Sequence, residues 1–186
     1  MFRRILVALD RSDMAERVLE EAIAMAKATG GTLMLTHVLS DDDDGAPPPM
    51  AMAPGLDYYW NNQEFYDNYR RQWAEYVETC VEQLQWQAAQ ARGASVDAEY
   101  TQQSGSPGRA ICNLARTWEA DLILMGRRGR KGLSEFLLGS VSNYVMHHAP
   151  CAVLMINPQP VSVSPEAIAS KNGTSEKVRN ATVATR

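Results

Sequence analysis

Gly126, Gly129, Gly139 and Ser140 stand in the pattern Gly-x2-Gly-x9-Gly-Ser, directly after the apolar run Leu122-Ile-Leu-Met125. A buried strand, a glycine-bracketed loop and a helix start in that order can hold an anion on main-chain atoms. Glycine tolerates positive φ and lets a phosphate approach without a Cβ in the way, while the first-turn N–H groups of a helix have no partner inside it. A lone Gly-x2-Gly mostly marks a turn; the extended pattern behind a strand carries far more information.

Other polar positions compete with this one. Asp10 closes the first apolar run and serves either as a turn residue or as a contact to a ligand hydroxyl or metal-bound water, because a bare carboxylate would repel an anion held on the main chain. Ser140 and Ser142 fit a helix cap and a phosphate contact equally, since both use one geometry. Arg127, Arg128, Arg130 and Lys131 read by default as a solvated charge run, although their place inside the loop favours a role at the site. The run Asp41 to Asp44 is expected to be solvated loop, because four successive carboxylates cannot converge on one cation. His147 and His148 are adjacent, face different ways on a helix and give no metal pair. No metal site is expected from side chains alone.

The elements that must position these residues alternate in type. Ile5 to Leu9, Thr32 to Val38, Asp121 to Met125 and Cys151 to Ile156 are apolar runs suited to strands buried on both faces of a parallel sheet. Val96 to Thr101 alternates apolar and polar residues and suits a half-exposed edge strand. Between them lie helical patterns. The first runs from a capping-box pair, Asp13 and Glu16, to the stop at Gly30-Gly31, and the second carries the stripe Phe65, Tyr69, Trp73, Tyr76, Cys80, Leu84 and Ala88 to about Gly93. The third has Ser106 as N-cap and Pro107 at its first position, and the fourth spans about Ser140 to His147. Segment 40–64 is too long for an ordinary connection and reads as an inserted mobile loop, in which Tyr58, Tyr59 and Trp60 form a lid, a contact surface for a partner or, as the favoured reading, packing against the second helix. Residues 158–186 hold prolines and small polar residues and read as a disordered tail. The expected organisation is one α/β domain, 1–157, built on a five-stranded parallel sheet with helices on both faces, plus that tail.

Composition sets outer limits. The 186 residues suit one core without metal or disulfide support, and a net charge of −4 gives no overall attraction to nucleic acid or an anionic membrane. Cys80, Cys112 and Cys151 are odd in number and lack CxxC spacing, so reduced, buried thiols and a cytoplasmic setting are expected. No apolar run approaches membrane-spanning length.

The glycine pattern resembles the nucleotide-binding signature of the universal stress protein family, over roughly Phe2 to Ile156 apart from the insertion. The resemblance implies ATP, with Mg2+, as the bound cofactor. Leu9 and Asp10 then match positions touching ribose and phosphates, and Val38 the one whose backbone meets adenine. Met125, Gly126, Arg127 and Gly129 match the loop beneath the ribose and phosphates, and Gly139, Ser140, Val141 and Ser142 the helix start that grips the phosphates. The chain departs from the family at Arg127 and Arg128, where a small residue or histidine is common, so the main chain is expected to carry the binding. The resemblance also implies a homodimer paired along strand 151–156, whose unpaired backbone groups give a physical reason to associate.

An ATP-binding stress-response regulator or sensor is therefore the leading expectation. One alternative is a dimeric interaction module of the same fold that uses no nucleotide. Another is a weak ATP hydrolase: related folds split ATP with a Ser-Gly-Gly loop after strand one, where this chain has Asp10-Arg-Ser-Asp13. No paired base and nucleophile is apparent, so a dedicated enzyme is not expected.

Overall fold

The computed structural model describes residues 2–41, 43, 45–49, 63–127 and 138–157. Gly129, the remaining basic residues of its loop (Arg128, Arg130 and Lys131), the aromatic trio Tyr58 to Trp60 and the segment 158–186 lie outside them.

Five strands, β1 (Arg4–Ala8), β2 (Thr32–Leu39), β3 (Ala98–Ser104), β4 (Leu122–Gly126) and β5 (Ala152–Ile156), form one sheet in the order β3-β2-β1-β4-β5. Every pairing is parallel, so each connection must cross a face. The helices that do so are α1 (Met14–Thr29), α2 (Gln63–Gly93), α3 (Pro107–Thr117) and α4 (Ser140–His148). The order reverses at β1, whose neighbours are β2 and β4. Their connections leave on opposite faces, which opens a crevice above the carboxyl ends of these strands.

Burial explains the sequence pattern. One face of the sheet packs Ile5, Val7, Leu33, Leu35, Leu122 and Leu124 against α1 and α2, while Leu6, Met34, Val38, Ile123 and Met125 face α3 and α4 on the other. The central strands are therefore buried through most of their length and largely apolar, with Thr36 and His37 of β2 as buried polar exceptions. β3 is an edge strand and is largely uncovered: only Ala98 is buried, and Tyr100, expected to point inward by alternation, is exposed beside Glu99.

Several boundaries differ from those expected from sequence. β3 runs on to Ser104 through two glutamines, because its ladder with β2 continues to the pair Leu39 and Ser104. Asp121 is not in β4: its carboxylate accepts from the Arg3 and Arg4 amides at 2.7 and 3.2 Å and ties the foot of the sheet. Helix α2 begins two residues before Phe65. The capping box is replaced by another device. Asp13 already has helical backbone angles (φ −57°, ψ −14°) and makes no side-chain cap bond, whereas the Ser12 Oγ accepts from the Met14 amide at 3.3 Å. At the other end Gly30 is left-handed (φ 64°) and closes α1 onto the Ala26 carbonyl, the stop expected of Gly30-Gly31.

Candidate functional site

A cavity of about 460 Å3 occupies the crevice, within the roughly 300–1,000 Å3 usual for small-molecule sites. Its base is apolar. Leu9, Val38 and Met125 come from the ends of three adjacent strands, and Ile111 and Pro107 from the start of α3. Polar groups line it as well: the buried Thr36 and His37 on β2, Asp10 and Arg11 after β1, Ser40 and Asp43 after β2, the Gly126 and Arg127 stretch at the end of β4, and Gly139 with Ser140, Val141 and Ser142 at the start of α4. All the sequence-selected positions among the described residues thus line one cavity, although they span 134 residues of chain from Leu9 to Ser142.

The α4 end of the cavity is organised by main-chain bonds. The Arg127 amide donates to the Ile156 carbonyl at 3.0 Å, and the Arg127 carbonyl accepts from the Gly139 amide at 3.3 Å. The Ser142 hydroxyl, buried, lies 2.8 Å from the same Arg127 carbonyl and 3.0 Å from that of Gly139. Ser142 therefore staples the two ends of the glycine loop together. The first intrahelical bond is from the Asn143 amide to the Gly139 carbonyl at 2.9 Å, so the amides of Ser140, Val141 and Ser142 form the first turn and point beyond the helix end. These amides and the helix dipole make that wall a place for negative charge. Gly139 itself has φ −62°, ψ 156°, extended backbone open to any residue, so positive φ is not what glycine supplies there.

Asp10 keeps the turn role that sequence set beside the ligand role. Its Oδ1 accepts from the Ser12 amide at 3.1 Å and from the Ser12 Oγ at 2.5 Å, which fixes the β1–α1 connection against the cavity. Ser12 is in turn the residue that meets the start of α1.

One prominent polar arrangement was not anticipated from the sequence. Asp43, expected to be solvated with its acidic neighbours, is turned inward: its Oδ2 lies 2.6 Å from the His37 Nε2 and accepts from the Tyr76 hydroxyl at 2.7 Å. The Arg11 guanidinium stands over the Tyr76 ring at 5.3 Å. Burial alone would drive the His37 imidazole toward neutrality, but the hydrogen bond and charge of Asp43, with a smaller contribution from Cys80, outweigh it and raise its pKa to about 9. Burial likewise opposes ionisation of Asp43, and the His37 and Tyr76 hydrogen bonds with the nearby positive charges hold its carboxyl below the usual range. Only the helical stripe gave a sign, by directing Tyr76 and Cys80 inward. Nothing local distinguishes Asp43 from the acidic residues beside it.

No group of three or more His, Cys, Asp or Glu able to hold a metal ion occurs among the described residues. No helix among them is long and apolar enough to cross a membrane.

The profile of the Universal stress protein family matches residues 1–157. The chain is 36% identical over 157 residues to universal stress protein Sll1388 of Synechocystis sp., covering 83% of this chain and 97% of that one. Among solved structures, a universal stress protein of Archaeoglobus fulgidus in complex with dAMP is 22% identical with a TM-score of 0.54, over 83% of this chain and 98% of that one. A universal stress protein in complex with cAMP is 21% identical with a TM-score of 0.55, over 85% and 98%. At these identities the two structures bear on the fold alone.

Proposed function

The chain belongs to the universal stress protein family, and from that premise we propose that its cavity binds an adenine nucleotide, ATP in the first instance, and that the protein acts as a nucleotide-dependent regulator or sensor in the stress response. The observation that carries the reading is the pairing of an apolar slot at the strand ends with the outward first-turn amides of α4 at the opposite rim. Adenine fits the slot between Val38 and Met125, the ribose lies by Leu9 and Asp10, and the phosphates meet Ser140, Val141 and Ser142 through their amides. Arg127 adds positive charge at that end, and Gly126 closes β4 beside it, while Gly129, which the family resemblance assigns to the same loop, lies outside the described residues. The family members holding dAMP and cAMP support the adenine half of the assignment.

The residues present fit Mg2+ only as a companion of the nucleotide. Magnesium keeps several waters and takes one or two carboxylates beside substrate phosphates, and Asp10 is a carboxylate on this rim. Bound there, Mg2+ would neutralise phosphate charge facing Asp10.

We also propose a cytoplasmic protein that pairs two copies along β5. β5 is an edge of the sheet, and Val153, Leu154 and Met155 are only partly covered within one chain. A single monomer mass in sedimentation equilibrium at micromolar concentration rejects the pairing. For the nucleotide, calorimetric titration with ATP in Mg2+ is expected to give a saturating one-site isotherm, with AMP and cAMP as competitors. The absence of heat at millimolar ATP rejects the assignment.

A further inference from the structure

The His37, Asp43 and Tyr76 cluster is the buried titratable group that nucleotide contact does not use. It joins three parts of the chain at the cavity wall: His37 on β2, Asp43 in the segment that follows β2, and Tyr76 on α2. Asp43 offers one oxygen to both partners, so the carboxylate is the hub of the arrangement.

The segment that carries Asp43 follows β2 directly. It is folded by two short turns, from the Asp43 amide to the Ser40 carbonyl at 3.0 Å and from the Ala46 amide to the Asp43 carbonyl at 3.1 Å. Gly45 then takes φ +82°, and a Cβ there would stand 3.1 Å from an Arg11 guanidinium nitrogen. Arg11 follows Asp10 and, like Ser40, His37 and Asp43, lines the same cavity. The cluster therefore fixes a stretch of cavity wall immediately after Val38, the residue placed against adenine.

We infer that His37, Asp43 and Tyr76 form a clamp that holds Asp43, with Ser40, Gly45 and Ala46 around it, as a preformed wall of the nucleotide cavity, so that nucleotide affinity is linked to protonation of His37. The inference rests on the nucleotide reading of the cavity and adds the regulation of that site. These are positioning residues acting through the wall. Among the described residues, the charged and titratable groups facing the clamp are Asp43 from the segment, Tyr76 and Cys80 from α2, and Arg11 from the β1–α1 connection. With His37 charged, the buried Asp43 carboxylate has a counter-charge in contact. Once His37 loses its proton, the Asp43 carboxylate loses its contacting counter-charge and keeps, among the described residues, the Tyr76 hydroxyl and the nearby Arg11, so the clamp is weakened. A wall that is formed in one molecule in ten lowers apparent affinity about tenfold.

The test is calorimetric titration with Mg-ATP from pH 7.5 to pH 10, a range in which the nucleotide's phosphates are already fully ionised, for the unaltered protein and for Asp43→Asn. The unaltered protein should weaken about tenfold across that range, and Asp43→Asn should be weakened about tenfold at the start and nearly flat thereafter. Amide hydrogen exchange across 40–46 should quicken in Asp43→Asn without nucleotide. Tyr76→Phe, which keeps the ring and removes one donor, serves if Asp43→Asn does not fold, and should fall between the two. Equal affinity and equal pH slope in variant and unaltered protein overturn the clamp while leaving nucleotide binding standing. No binding by the unaltered protein at any pH overturns the nucleotide reading and, with it, this linkage.

Discussion

Gly108→Ala tests whether the anion wall depends on how α4 is seated. Gly108 lies in the first turn of α3, and Tyr144 of α4 packs directly on it. A Cβ at position 108 would stand 2.7 Å from the Tyr144 Cδ1 and 2.9 Å from both its Cγ and its Cβ. A rotamer change can withdraw the ring but cannot move the Tyr144 Cβ, which is fixed by the α4 backbone. To reach the 3.4 Å of ordinary contact, α4 must retreat by about 0.5 Å. Overpacking of this kind costs roughly 1–3 kcal/mol, offset by up to about 1 kcal/mol from replacing a helical glycine. The expected net loss is about 1 kcal/mol, or roughly 2–4 °C in Tm for a chain of this size. The amides of Ser140 to Ser142 travel with α4. Losing about 1 kcal/mol of their charge-assisted hydrogen bonding weakens ATP roughly fivefold. Thermal denaturation and calorimetric titration read the two quantities separately. Adding Tyr144→Ala removes the ring but not the Cβ contact, so it should restore affinity only in part. Gly108→Ala with unchanged Tm and unchanged Kd would refute the reasoning, because α4 would then not be held by this contact.

Ser142→Ala removes the hydroxyl that staples Arg127 to Gly139; it should cost about 1–2 kcal/mol by urea denaturation and weaken ATP severalfold, with Ser142→Thr close to normal. Stability should also depend on pH through the clamp. The His37 pKa is raised in the fold to about 9 from 6.5, so its contribution is complete below pH 6.5 and is lost as pH rises through 9, a change of up to roughly 3 kcal/mol that Asp43→Asn removes. On the acid side the Asp43 pKa is lowered, so the same interaction is present above its ordinary value of 3.8 and fades as pH falls through the depressed one; urea midpoints measured across both limbs check the two signs. Leu124→Ala empties a fully buried position between the sheet and helices α1 and α2 and should cost about 2–5 kcal/mol in the same assay.

What the sequence reveals here depends on how far apart the causes lie. Ile5, Leu6 and Val7 are each fully buried because a layer of helices covers both faces of β1, and an unbroken apolar run is the local trace of that arrangement. The helix start proposed as the anion wall leaves a local trace for a similar reason. Its donors are main-chain amides at a helix start, so a strand, glycines and Ser140 at fixed spacing announce it without any distant partner. Asp13 shows the limit of such patterns. Asp13 and Glu16 have the spacing of a capping box, yet the chain turns helical one residue early because Asp10 captures Ser12, and Ser12 takes over the cap. The competing bond is only two residues away, but it belongs to the turn after β1 and not to the helix.

The clamp is the opposite case and explains why a site can be half readable. Asp43 meets Tyr76 across 33 positions of chain and His37 across a turn, and each residue taken singly has an ordinary reading: loop acid, core aromatic, strand histidine. Only the fold brings them to one oxygen. Burying a carboxylate there would be unfavourable without the imidazolium and the phenol, and burying the imidazolium would be unfavourable without the carboxylate. Each polar group is therefore tolerated because the others are present, a condition that no spacing rule along the chain expresses. The same interdependence makes the arrangement sensitive to one proton. The main-chain donors of α4 hold their charge distribution at any pH at which the helix exists, whereas the wall beside Val38 rests on a histidine that titrates. A site with one fixed and one titratable wall should bind its phosphates with little pH dependence of their own and show its proton linkage through Asp43 and the wall around it, which is where Asp43→Asn and Gly108→Ala should part company: the first should flatten the pH profile of affinity, and the second should lower affinity equally at every pH.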